Sequence, residues 1–159
     1  MSFLKRPNDL LARVITLIAT VCLAALSVLV LYGVIMRYVF DHALDYVEPI
    51  ALLLVLVIAF FGAALRVRDG GHIGLDSLVN RFSPSWRRAA HVFQYVCLIA
   101  FALAVIIGCL EMGSTTLDDH IPILGVSEAL RYAIPTAAGL CIALFAIEHL
   151  LDMFSSKRP

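Results

Sequence analysis

Hydrophobic and polar positions divide this chain into four long apolar runs separated by short polar intervals. Val14–Met36 is apolar apart from Thr16, Thr20 and Ser27. Its length suffices to cross a hydrocarbon core of about 30 Å with some tilt. It is too long for the apolar stretch of a signal peptide, and no A-x-A pattern ends it, so the reading is a retained helix. The second run spans 47–65. Pro49 suits a first helical turn, whose amides have no intrahelical acceptor, and Asp45 with Glu48 is expected to cap the same end. Ser83-Pro84 has the form of an N-cap followed by a first-turn proline and opens the third run, 89–110. Ser127 is placed to cap the fourth, 130–151, with Pro135 in its first turns. Pro7-Asn8-Asp9 can start the first helix.

The longest polar interval, residues 66–88, lies between the second and third runs. Arg66–Gly74 reads as a glycine-rich turn. After it, Leu75, Leu78, Val79 and Phe82 fall at i, i+3, i+4 and i+7, with Asp76, Ser77, Asn80 and Arg81 between them. A one-sided stripe of this kind predicts a short helix lying in the membrane interface. Trp86, Arg87 and Arg88 suit headgroup level.

Composition agrees with membrane residence. The chain has 159 residues and is 62% hydrophobic, with mean hydropathy +0.95. A soluble core of this size could not hide that much apolar surface. Net charge is zero, which argues against nucleic acid as a partner. Charge placement sets the expected orientation. Ten of the twelve Lys/Arg residues lie in the first segment, the central connection and the tail; only Arg37 and Arg131 lie in the other two turns, which carry seven acids. By the positive-inside rule, both termini and the 66–88 connection are expected in the cytoplasm. The expectation is an all-α fold: an integral membrane four-helix bundle forming a single membrane domain over 1–159.

Candidate chemistry is sparse. No Asp, Glu, Lys, Arg or His lies within 14–36, 50–65, 92–110 or 133–147. Ionisable groups at membrane depth mark ion paths and proton relays, so their absence argues against a stand-alone transporter. Small residues recur at spacing four: Ala12, Thr16, Thr20 and Ala24; Ala100, Ala104 and Gly108; Gly139 and Ala143. Such rows permit close helix approach, within this bundle or against another membrane protein. Cys22, Cys97, Cys109 and Cys141 all fall in apolar runs with no C-x-x-C pair. They read as reduced, buried hydrophobes, not as exposed electron-shuttling thiols. His91 and His149, at the ends of the third and fourth runs, would be the axial pair of a haem-binding electron-transfer anchor, but both lie near the headgroups instead of at apolar depth. His72 and Asp76, four apart, supply only two ligands and make an incomplete metal site. No resident cofactor or metal, and no catalytic group, is expected.

Several short stretches, in order, resemble one family. Arg37-Tyr38-Val39-Phe40, Glu48, Phe61-Gly62-Ala63-Ala64, His72-Ile73-Gly74-Leu75-Asp76, Leu124-Gly125-Val126-Ser127, Tyr132 and Pro135 are similar to the pattern of the small (Q-type, DctQ-like) membrane subunit of tripartite ATP-independent periplasmic (TRAP) transporters. The resemblance covers nearly the whole chain. Tyr46 stands where the family often has Trp, Pro49 where it often has a second Glu, and Ser127 in place of a usual proline. Any role of a carboxylate pair therefore falls to Glu48 alone.

The resemblance implies a non-enzymatic subunit in a bacterial inner membrane. It implies a large TRAP membrane subunit that carries substrate and sodium sites, and a periplasmic binding protein that delivers an organic acid. The small subunit then anchors and scaffolds the large one, with membrane lipids around it. Arg37, Glu48, His72 and Asp76 are the expected orienting or subunit-contact residues. Arg37 and Glu48 share the outer side and could pair across the first turn. The alternatives are the haem-binding anchor and the stand-alone small transporter.

Overall fold

The computed structural model describes residues 5–70, 84–121 and 123–155. It contains four α-helices: α1 (Lys5–Val39), α2 (Val47–Arg68), α3 (Pro84–Thr115) and α4 (Ala129–Ser155). Each is long and apolar enough to cross a membrane, and the chain is an all-α, multi-pass membrane protein. The predicted interfacial helix over 75–82 lies outside the described residues, as does the Ser83 cap.

Helix ends follow local chemistry. At 35 residues, α1 is about 50 Å long, well beyond a hydrocarbon core, so its polar first turns extend past the lipid. It stops where Asp41 takes a left-handed φ of 49° and the His42 amide returns to the Met36 carbonyl at 3.0 Å. The start of α2 differs from the expected cap. Tyr46 occupies the N-cap position, already helical at φ −81° and ψ −15°, and no side chain caps it. The reason lies in Pro49. It is the third residue of the helix and has no N–H for a capping carboxylate to serve, while the Val47 amide finds the Leu44 carbonyl at 3.3 Å. In α4 the expectation holds: Ser127 Oγ accepts from the Ala129 amide at 3.2 Å and donates to the Leu117 carbonyl at 2.9 Å.

The helices run up and down, but the bundle is open. Among the described residues α1 packs on α2, α2 on α4, and α4 on α3, giving the spatial order α1–α2–α4–α3. The buried apolar knot joins Ala12 and Ile15 of α1, Ala64 and Val67 of α2, Tyr95 and Ala102 of α3, and Cys141, Ile142, Phe145 and Ala146 of α4. It lies towards the terminal end, where α1 and α3 begin and α2 and α4 finish. Beyond Ile15, α1 presents Leu17, Val21, Val28 and Leu31 outward. Lipid is as apolar as these side chains, so exposure there carries no penalty. The same logic corrects the reading of the cysteines. Cys141 is buried, but Cys97 is exposed, because a thiol in a bilayer need not be inside the protein to be in apolar surroundings.

At the opposite, turn end, 116–121 and 123–128 form a tight reversal. His120 and Ser127 form an isolated antiparallel bridge, the Ile121 amide donates to Val126 at 2.8 Å, and the Glu128 amide to Asp119 at 2.8 Å. Ile121 is fully buried beneath it. Ile123 and Gly125 both have positive φ, 77° and 64°. The glycine in Leu124-Gly125-Val126-Ser127 is therefore explained by backbone geometry, since only glycine adopts that region at no steric cost.

Candidate functional site

Polar side chains gather at the two ends of the bundle. At the turn end, a concavity of about 520 Å³ is lined by Val30, Val34, Arg37 and Tyr38 from α1, by Leu44 and Asp45 from the turn, and by Glu48 and Ala51 from α2. Arg37 and Glu48 therefore line one concavity. They form no ion pair there: the ion pairs among the described residues are Arg68–Asp9 and Arg131–Glu128. α1 and α2 close tightly beside this site. A β-carbon on Gly33 would come within 2.9 Å of Val47 Cγ1. The Tyr46 hydroxyl shares a hydrogen bond with Tyr32; desolvation first, then that bond and the neighbouring phenol, push its pKa up. The other two residues singled out in the sequence, His72 and Asp76, lie outside the described residues.

At the terminal end, a denser cluster joins all four helices. Asn8 is only 7% exposed, and its side-chain amide donates to the Glu148 carboxylate of α4. Asp9, next in sequence, pairs with Arg68 at the end of α2. The backbone carbonyl of Arg68 belongs to the last turn of α2, where the helix supplies no amide donor for its final carbonyls. His149 Nε2 donates to it at 2.7 Å, which fixes the proton on Nε2. The imidazole stacks on Tyr95 of α3, ring centroids 5.4 Å apart and planes 14° from parallel. Asp9, Arg68, Asp69, Glu148, His149 and Asp152 line a recess of about 270 Å³.

These contacts bear on the haem alternative. His149 already spends Nε2 on a carbonyl and one ring face on Tyr95, so it is held as a structural group. No group of three or more His, Cys, Asp or Glu side chains suited to a metal occurs among the described residues.

Sequence reasoning placed Arg37 and Glu48 on one side of the bundle but did not reach the terminal cluster. His149 was singled out only as half of a candidate haem pair with His91, not as a partner of α2. Asn8 and Glu148 are 140 positions apart, and no local periodicity links them. The available signal was that Glu148, His149 and Asp152 end a helix with no charge between Arg131 and Glu148, on the side where Asp9 and Arg68 also lie.

The small-residue rows separate into two kinds. Gly139 faces α3: a β-carbon there would meet Ile106 Cγ1 at 3.0 Å and the Ala102 carbonyl oxygen at 3.4 Å. Ala100, Ala104 and Gly108 are exposed on the outside of α3, and a β-carbon on Gly108 would meet nothing within 4 Å. On α1, Ala12 is buried while Thr16, Thr20 and Ala24 are exposed. The hydroxyls of Thr16, Thr20 and Ser27 return to the carbonyls of Ala12, Thr16 and Leu23 at 2.8, 2.8 and 2.9 Å. They make no hydrogen-bond demand on a neighbour, so this face is smooth and electrically neutral.

Comparison with known proteins gives a consistent result. A family profile described as "Tripartite ATP-independent periplasmic transporters, DctQ component" matches residues 26–156. A Haemophilus influenzae protein named as a TRAP transporter small permease protein is 26% identical over 130 residues, covering 82% of this chain and 81% of the relative. A second protein of that organism, named in the same way, is 22% identical over 104 residues, 65% of this chain and 63% of its own length.

Proposed function

The chain belongs to the DctQ family of small membrane subunits of TRAP transporters, and on that premise we propose that it anchors and scaffolds the large transport subunit of a sodium-driven organic-acid uptake system in a bacterial inner membrane. As a member of this family it is a transporter component and not an enzyme. The observation that carries the scaffolding role is the outward placement of two small-residue rows, Thr16–Thr20–Ala24 on α1 and Ala100–Ala104–Gly108 on α3. Both leave close-approach surface unused by this chain's own packing. The uncharged spans support the same reading, because a scaffold needs no ion path. Sodium and substrate sites then fall to the large subunit, and substrate delivery to a transient periplasmic binding protein. Arg37 and Glu48, facing one concavity at the turn end, are proposed as subunit-contact residues, and His72 and Asp76 as orienting residues of the 66–88 connection. Both termini and that connection are proposed to be cytoplasmic, and Arg66–Phe82 to include an interfacial brace. The test is co-expression with the large subunit: the two should co-purify, and organic-acid uptake should disappear when this chain is deleted. Full-rate uptake by the large subunit without it would overturn the role.

A further inference from the structure

The concavity at the turn end holds charge that the protein leaves unpaired. Arg37 lies in the last turn of α1 and Glu48 in the first turn of α2. Each sign suits its own helix end, because a C-terminus attracts a cation and an N-terminus an anion. Neither they nor Asp45, which lines the same space, enters an ion pair among the described residues. Beside these groups the wall is apolar. Gly33 closes on Val47, and Val30, Val34 and Ala51 continue along the two helices away from the turn. Val30 and Val34 are 45% and 47% exposed, so this wall opens sideways to lipid. Arg37 and Glu48 also stand at the ends of the apolar spans Asn8–Val39 and Val47–Arg68, at the depth of phospholipid headgroups.

We propose that this concavity binds one aminophospholipid of the phosphatidylethanolamine class, its phosphate on Arg37, its ammonium on Asp45 and Glu48, and an acyl chain along Val30 and Val34. A guanidinium matches a phosphate bidentately, and an ammonium offers three N–H donors to carboxylate acceptors. The lining holds one cation and two carboxylates. An anionic lipid therefore brings no cation for the acids and meets their repulsion. Phosphatidylcholine keeps the phosphate contact, but its quaternary ammonium has no N–H to donate. The space of about 520 Å³ falls within the range of small-molecule sites, about 300–1,000 Å³. The proposal deepens the contact role given to Arg37 and Glu48, since a lipid seated there becomes part of the surface that meets a neighbouring subunit. Lipid binding is measured on the isolated subunit, so its failure leaves the co-purification test of the subunit role untouched.

The experiment uses the full-length protein, delipidated in detergent, and native mass spectrometry with phosphatidylethanolamine, phosphatidylcholine and phosphatidylglycerol of identical acyl chains. The wild type should hold one phosphatidylethanolamine about tenfold more tightly than either of the others, the scale of one charge-assisted hydrogen bond. Arg37→Gln should weaken phosphatidylethanolamine binding by about tenfold. Asp45→Asn combined with Glu48→Gln should bring phosphatidylethanolamine down to the level of phosphatidylcholine and leave the latter in place. Arg87→Gln, an exposed position at the opposite end of the bundle, should change nothing and controls for general attraction to headgroups. Val34→Trp fills the concavity without altering charge and should remove the phosphatidylethanolamine preference; should a charge variant fail to fold, Val34→Trp decides alone. Equal binding of the three lipids by the wild type, undiminished binding in Arg37→Gln, or a preference that survives Val34→Trp or the double variant overturns the site.

Discussion

Gly139 of α4 lies against Ile106 of α3 so closely that an added β-carbon would sit 3.0 Å from Ile106 Cγ1. The contact sets how near the two helices run. Two effects oppose each other in Gly139→Ala: alanine gains about 1 kcal/mol of helix propensity, and Ile106 must move by a few tenths of an ångström. Ile106 is β-branched and stiff at χ1, so the adjustment must come from a small shift of its helix, which offsets the propensity gain and leaves the net change near zero. Gly139→Val has no such escape, and overpacking should cost about 1–3 kcal/mol. Reversible unfolding in mixed micelles measures both.

Gly125 gives a cleaner sign. Its φ of 64° is strained for any residue with a β-carbon, and nothing crowds the site. Gly125→Ala should therefore cost about 1–2 kcal/mol through the backbone alone. Because the strain is confined to the reversal, the loss should appear first as faster proteolysis between Leu117 and Glu128, with the helical circular dichroism unchanged.

These two glycines show what was legible beforehand. The small-residue spacing on α4 pointed to close packing, and Gly139 packs closely. The same spacing on α3 marked Ala100, Ala104 and Gly108, yet the residue buried against α4 is Ala102. In a soluble helix, polarity would separate the two faces. In lipid both faces are apolar, so the sequence locates the span and hides its inward side. Helix number and approximate limits were legible for the same reason, because lipid tolerates only long apolar runs. The open order α1–α2–α4–α3 was not, since it depends on side-chain fit between helices far apart in sequence. At the polar ends, Arg37 and Glu48 could be placed on one side because a short turn separates them. The Asn8–Glu148 contact spans nearly the whole chain and left no local trace.

Asn8 and Asp9 are adjacent yet should differ in energetic weight. Asp9 is exposed, and its pair with Arg68 has side-chain exposures of 58% and 31%. Solvent screens such a pair, so Asp9→Asn should cost less than about 1 kcal/mol. Asn8 is buried. Asn8→Ala strips the Glu148 carboxylate of its donor in a half-buried position and should cost about 1–3 kcal/mol. Parallel unfolding curves for the two variants test the ranking, and an Asp9→Asn loss exceeding that of Asn8→Ala would reverse it.

Orientation can be read with reporter fusions. With cytoplasmic termini, an alkaline phosphatase domain joined after Asp119 should be active and one joined after Gly71 inactive. A green fluorescent protein fused at the same two points should give the opposite pattern. The basic-residue asymmetry drives this expectation. The reverse outcome would place Arg37 and Glu48 on the cytoplasmic side and remove any contact between them and a periplasmic protein.

The outer face of α3 allows folding and assembly to be tested separately. A β-carbon on Gly108 would meet nothing within 4 Å among the described residues, and Ala104 is exposed. Gly108→Ala should leave the isolated subunit unchanged or raise its stability by up to about 1 kcal/mol through helix propensity. Ala104→Phe should also fold normally, since its ring points into lipid. If a helix of the large subunit packs along Ala100–Ala104–Gly108, the same phenyl ring blocks that close approach. The expected result is a normal melting profile for the subunit alone with a clear loss of co-purified large subunit. The equivalent substitution on α1, Thr20→Phe, tests the other exposed row, and whichever loses the partner identifies the docked helix. Retention of the partner by both variants, with uptake intact, would move the interface to a different face of the bundle.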